Sequence, residues 1–115
     1  MNEMNANTKL VKLNDGTPIR IVNVPFLNLY IITDINNFGN HWIRVTRQSV
    51  NVFTTKTLFG SNDLEFAPIA RFFAEKLMKR QTNDNLIEDK HILFNLSLKN
   101  KDREVVKEIA QHLSN

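Results

Sequence analysis

The stretch KLVKLNDGTPIRIVNV, residues 9–24, decides the fold class. Lys9–Leu13 and Pro18–Val24 are extended runs, and the Asp15-Gly16 step between them supplies the positive φ angles that a tight reversal needs. An antiparallel pair of strands is therefore predicted at the start of the chain. Pro25 then interrupts the ladder, because it has no N–H to donate. Beyond it, Leu27–Thr33 sets Leu27, Leu29 and Ile31 against Asn28, Tyr30 and Ile32, the pattern of a strand buried on one face and partly covered on the other.

The same period of two continues downstream. Residues 36–40, NNFGN, read as a loop leading into a second hairpin, since Asn and Gly tolerate left-handed backbone at low cost. His41–Arg47 places Ile43 and Val45 on one face and Trp42, Arg44 and Thr46 on the other. Ser49–Thr55 follows with Val50 and Val52 opposed to Asn51 and Phe53, and GSND at 60–63 ends the extended region.

From about Glu65 to Gln81 the period changes to that of a helix, with Phe66, Ile69, Phe73 and Leu77 on one stripe. Pro68 belongs in the first turn, which puts the regular helix from about Ala67. Lys76, Lys79 and Arg80 fall in the last turns, where cations oppose the helix dipole. Thr82–Lys90 is a polar loop anchored only by Leu86 and Ile87. His91–Leu98 alternates again, with Ile92, Phe94, Leu96 and Leu98 on one side, and predicts a sixth strand. A last helix starts at Asn100 or Lys101, carries Asp102 and Glu104 in its first turns, and buries a stripe of Val105, Val106, Ile109, Ala110 and Leu113.

The predicted order is β-β-β-β-β-α-β-α: an antiparallel meander, a helix, a returning strand and a second helix. Two helices with one apolar stripe each need a sheet face to cover, so the expected fold is a two-layer α+β sandwich. Its sheet has five to six mainly antiparallel strands, with two helices on one face. Residues 1–8 read as a flexible polar N-terminus and 9–115 as a single domain.

Composition narrows the chemistry. The 115 residues, 42% hydrophobic, suffice for a core without disulfides. With no cysteine, thiol catalysis, iron–sulfur clusters and thiolate zinc sites are excluded. No apolar run approaches the roughly 18 residues of a membrane span, and the first residues lack a signal-peptide core, so a cytoplasmic protein with no membrane partner is expected. Nine of the sixteen asparagines lie in the first forty residues, the bias of AT-rich coding DNA, which points to a low-GC bacterium or a phage.

Gly16, Gly39 and Gly60 are isolated, so neither a P-loop nor a dinucleotide fingerprint can be built. His41, His91 and His112 lack metal-ligand spacing, and Ser49, Ser61 and Ser97 lie in no nucleophile elbow. Glu88 and Asp89 beside His91, and Asp34 ahead of His41, could pair an acid with a base, but without a specific spacing. No catalytic residue, metal or cofactor is assigned, and a small enzyme ranks last among the readings.

The face opposite the expected core is the most suggestive feature. Trp42, Arg44, Arg47, Phe53, Arg20 and Tyr30 combine aromatic rings with guanidinium groups, the means by which an exposed sheet stacks bases and neutralises phosphates. The leading expectation is a non-enzymatic binding module for single-stranded nucleic acid or a nucleic-acid-processing partner. The alternative is a protein-interaction or homo-oligomeric regulatory or inhibitory protein, in which a protein partner or a second copy meets the same face without nucleic acid. Against both stands a packing role, with Trp42 and Phe53 paired across strands or lying beneath a loop.

Overall fold

The computed structural model of the chain describes residues 7–34, 41–49, 52–60, 65–78 and 91–113. It contains β1 (Asn7–Lys12), β2 (Pro18–Val24), a 3-10 turn (Pro25–Leu27), β3 (Leu29–Asp34), β4 (His41–Ser49), β5 (Val52–Phe59), α1 (Phe66–Met78), β6 (His91–Ser97) and α2 (Arg103–Leu113). The strands form one six-stranded sheet in the order β1-β2-β3-β6-β4-β5. The α+β class and the element order are those read from the sequence.

The β1–β2 reversal has the chemistry its sequence demands. Gly16 sits at φ +93°, and the Asp15 carboxylate accepts a 2.9 Å bond from the Thr17 N–H. That hydrogen bond to the charged form holds the Asp15 carboxyl below its ordinary value of 3.8. The next connection departs from expectation. Residues 25–27 close into a 3-10 turn instead of opening a strand, Leu27 is exposed, and β3 starts at Leu29. Asn28 ends the turn at φ 53°, a left-handed position that its short amide side chain tolerates. Its Nδ2 donates to the His91 carbonyl at 3.1 Å, and its own carbonyl accepts from the Leu93 N–H at 2.9 Å. One residue thus pins the entry of β3 to the entry of β6.

The single meander of five strands is corrected. β3 and β4 do not pair: β6 lies between them, parallel to β3 and antiparallel to β4. Ile92, Phe94, Asn95 and Leu96 are all buried, so β6 is covered on both faces, and the centre of a sheet is where such a strand belongs. The second hairpin is β4–β5, with pairing from Ser49↔Val52 to Trp42↔Phe59 and two register shifts. β5 therefore begins later and runs further than the Ser49–Thr55 expected. The expected loops at 36–40 and 82–90, the helix end at 79–81, the segment 61–63 and most of the N-terminal 1–8 lie outside the described residues.

Both helices lie on one face. Phe66, Ile69, Ala70, Phe73, Ala74 and Met78 of α1 and Val106, Ile109, Ala110 and Leu113 of α2 share one core with Val11, Ile19, Ile21, Ile32, Ile43, Val45, Ile92, Phe94 and Leu96. Phe73 and Phe94, each wholly buried, meet with ring centroids 6.1 Å apart. Burying a ring of this size contributes on the order of 2–3 kcal/mol. The first hydrogen bond of α2 runs from the Val106 N–H to the Asp102 carbonyl, and Glu104 favours the helix's positive end. Lys9 Nζ donates to the His112 carbonyl at 2.8 Å and Glu108 accepts from the Asn14 N–H at 2.9 Å, which tie α2 to the β1–β2 hairpin.

Candidate functional site

Directly opposed residues in a sheet share a face, so the pairing sorts every strand residue. The helix-covered face is marked by Ile19, Ile21, Ile32, Phe94, Leu96, Ile43 and Val45. Among the described residues no helix packs on the opposite, open face. Across it run Leu10↔Arg20, Arg20↔Thr33, Ile31↔Asn95, Leu29↔Leu93, Asn95↔Trp42, Leu93↔Arg44, Arg44↔Lys56 and Trp42↔Phe59.

This open face has a graded burial. Thr33 and Asn95 at its centre are buried, Trp42, Ile31 and Leu93 around them are half-buried, and Arg44 is exposed. The periphery is apolar and exposed, with Leu10 at 64% and Phe59 at 71%. The charged side chains among its described residues are the cations Arg20, Arg44 and Lys56, with Lys12 at the β1 edge; no carboxylate projects there.

Of the six residues assigned to a binding face, the structure brings Trp42, Arg44 and Arg20 to the open side and takes three to the helix side. Arg47 is 6% exposed, in the same alternation as Ile43 and Val45. Its Nη1 donates to the Met78 carbonyl at 3.3 Å and its Nε to the Ser49 carbonyl at 3.4 Å, so it satisfies a carbonyl at the end of α1. Phe53 lies opposite Arg47, packs on the core, and carries that guanidinium 5.8 Å from its ring centroid. Tyr30 packs on Phe94 at 6.0 Å, and burial raises its phenol above the ordinary 10.0. Both aromatic residues are thereby removed from any stacking platform around Trp42. The cross-strand neighbour of Trp42 is Phe59, not Phe53.

Phe59, Leu10, Ile31 and Leu93 are the open-face residues that the sequence reading missed. Leu93 could have been found, because it stands out of phase with Ile92, Phe94 and Leu96 of its strand. Of the acid–base candidates, Asp34, His41 and His91 lie among the described residues. The Asp34 carboxylate accepts from the Lys99 N–H at 2.9 Å, the His41 ring lies 4.5 Å from that of Phe66, and Glu88 and Asp89 lie outside the described residues. Among the described residues no three His, Asp or Glu side chains gather as a metal would require, and no helix is long and apolar enough to cross a membrane.

The family model described as Proteasome assembly chaperone 3 matches residues 30–115, which takes in β3 to α2 and the Trp42, Arg44 and Phe59 part of the open face. No curated protein sequence matches the chain. Among solved structures, a chain of a novel chaperone complex for yeast 20S proteasome assembly is similar with a TM-score of 0.71 at 11% identity, over 96% of this chain and 97% of that one. At that identity the likeness is one of fold.

Proposed function

Because the chain belongs to the proteasome assembly chaperone 3 family, we propose that it acts by protein–protein contact during assembly of the 20S proteasome, with the open sheet face as its contact surface. A chaperone of this family is a non-enzymatic protein-interaction molecule. The observation that carries the surface is the one-sided sheet: the two helices share a core with one face and leave the other presenting Trp42, Phe59, Leu93, Ile31 and Leu10. Aromatic side chains with arginines beside them are the residue types enriched at protein interfaces.

Binding of single-stranded nucleic acid finds no support. Two of the three rings expected to stack are on the helix side, and the arginine nearest them is buried as a carbonyl partner. A low-GC bacterial or phage origin is likewise unsupported by a family of proteasome assembly chaperones. A cytoplasmic location belongs to the proposed reading.

The test is reconstitution of 20S particles from purified subunits with and without the chain, followed on native gels. Wild type should bind free subunits and raise the yield of assembled particle. A Trp42→Ser, Phe59→Ser variant should retain its fold by circular dichroism and lose at least about tenfold in binding, since hot-spot aromatic residues cost about 2 kcal/mol each. Equal activity of the variant would refute the surface; no binding of any subunit by wild type would refute the function. Light scattering on the same samples reports whether a second copy occupies the face.

A further inference from the structure

The helical layer carries a second feature, separate from the open sheet face. Between α1 and α2 runs a groove of about 580 Å³ lined by Glu65, Pro68, Ile69, Phe72, Lys101, Arg103, Val106 and Lys107. Its floor is apolar. Ile69 and Val106 each leave a small part of their surface uncovered, and Phe72 is half-buried with its ring 6.4 Å from that of Phe73. Its rim is cationic. Lys101, Arg103 and Lys107 line one side, and Lys76 reaches over the Phe72 ring at 5.4 Å from the opposite helix. The lone carboxylate in the lining, Glu65, lies 3.2 Å from Lys101 Nζ, which also sits 5.0 Å over the Phe66 ring.

We propose that this groove is a docking site for a partner-protein segment that carries apolar side chains flanked by carboxylates. Apolar side chains fill the floor between the helices, and the carboxylates meet Arg103, Lys107 and Lys76 at the edges. Charge complementarity selects the occupant: a neutral or basic amphipathic segment would bring no counter-charge to Arg103 and Lys107, which line the groove beside a Lys101 already paired with Glu65. A nucleic acid would match the charge but not the floor, which is built of Ile69, Val106 and Pro68 and presents no polar side chain to a base edge. The site goes beyond the proposed function, because it lies on the layer opposite the open sheet face and does not depend on it.

The experiment uses the full chain, labelled with 15N, and an eight-residue peptide with phenylalanine and leucine three positions apart among glutamates. Saturable shifts confined to residues around Ile69, Phe72 and Val106 are expected. An Arg103→Glu, Lys107→Glu variant, both positions exposed, should keep its spectrum and bind about tenfold more weakly, since each reversal replaces an exposed attraction by a repulsion. A peptide with serine in place of both apolar residues should bind at least as weakly. Shifts elsewhere, equal binding by the serine peptide, undiminished binding by the charge-reversed variant, or equal response to a single-stranded oligonucleotide would each overturn the proposal. So would binding that emerges only after residues 79–90 are replaced by a Gly-Ser linker, which would give the groove to the chain's own acidic Leu86-Ile87 segment. None of these outcomes touches the sheet-face variants, so the two readings fail separately.

Discussion

Replacing Arg47 by methionine separates a structural arginine from a binding one. Arg47 is 6% exposed, and the substitution keeps an unbranched side chain of similar stem while it removes the guanidinium, which donates to the carbonyls of Met78 and Ser49 at 3.3 and 3.4 Å. Hydrogen bonds from a charged donor contribute roughly 1.5–3 kcal/mol each, and these two are long, so they lie at or below the bottom of that range. The approach of the guanidinium to Phe53 adds about 0.5–1 kcal/mol. Against this gross loss of about 3–4 kcal/mol stands the desolvation of a buried cation, which is recovered when the cation is removed. The expected net destabilisation is about 2 kcal/mol, or roughly 8 °C in Tm for a domain of this size. Urea unfolding followed by Trp42 fluorescence measures it, with Arg44→Met as the exposed control, expected within about 0.5 kcal/mol of wild type. If Arg47→Met were as stable as wild type yet lost binding to proteasome subunits, the assignment of Arg47 to the α1 terminus would be wrong.

Two further outcomes follow from single residues. Asn28→Val should cost about 1–2 kcal/mol for a branched residue at φ 53°, plus the side-chain bond to His91, whereas Asn28→Gly keeps the backbone and loses only about 1 kcal/mol; thermal unfolding of the pair separates strain from hydrogen bonding. Tyr30 is the sole tyrosine, so alkaline titration of its phenolate absorbance should give a midpoint above 10.0 in the folded chain. A folded value raised by burial means that this contribution to stability is complete below pH 10 and is lost as pH rises through the folded value. A midpoint at or below the ordinary value would contradict the packing of Tyr30 on Phe94.

The helices were legible because their stripes are unambiguous. Phe66, Ile69 and Phe73, and likewise Val106, Ile109 and Leu113, recur at three- and four-residue spacings that fall on one side of a helix. The Asp15-Gly16 turn was legible for a local reason, since few residues accept its backbone angles. The candidate site was half legible. Ile43 and Val45 fixed the phase of β4, and with it the outward position of Trp42 and Arg44. The same phase already carried Arg47 inward, a cation in a core position being a signal of buried hydrogen bonding. Tyr30 and Phe53 could not be phased. β3 is apolar on both faces, and the shift between Arg47 and Ser49 breaks the count that would carry the phase of β4 into β5.

Local chemistry in the sequence determined the element types, their order and the α+β class, because turn angles, helix stripes and strand alternation are set by residues within a few positions of one another. Only the tertiary structure decided that β6 enters between β3 and β4, that Phe59 and not Phe53 stands beside Trp42, and that Arg47 ends at α1. Each of these depends on pairing between strands distant in the chain, where a shift of one residue exchanges the faces of the sheet and no local preference opposes it.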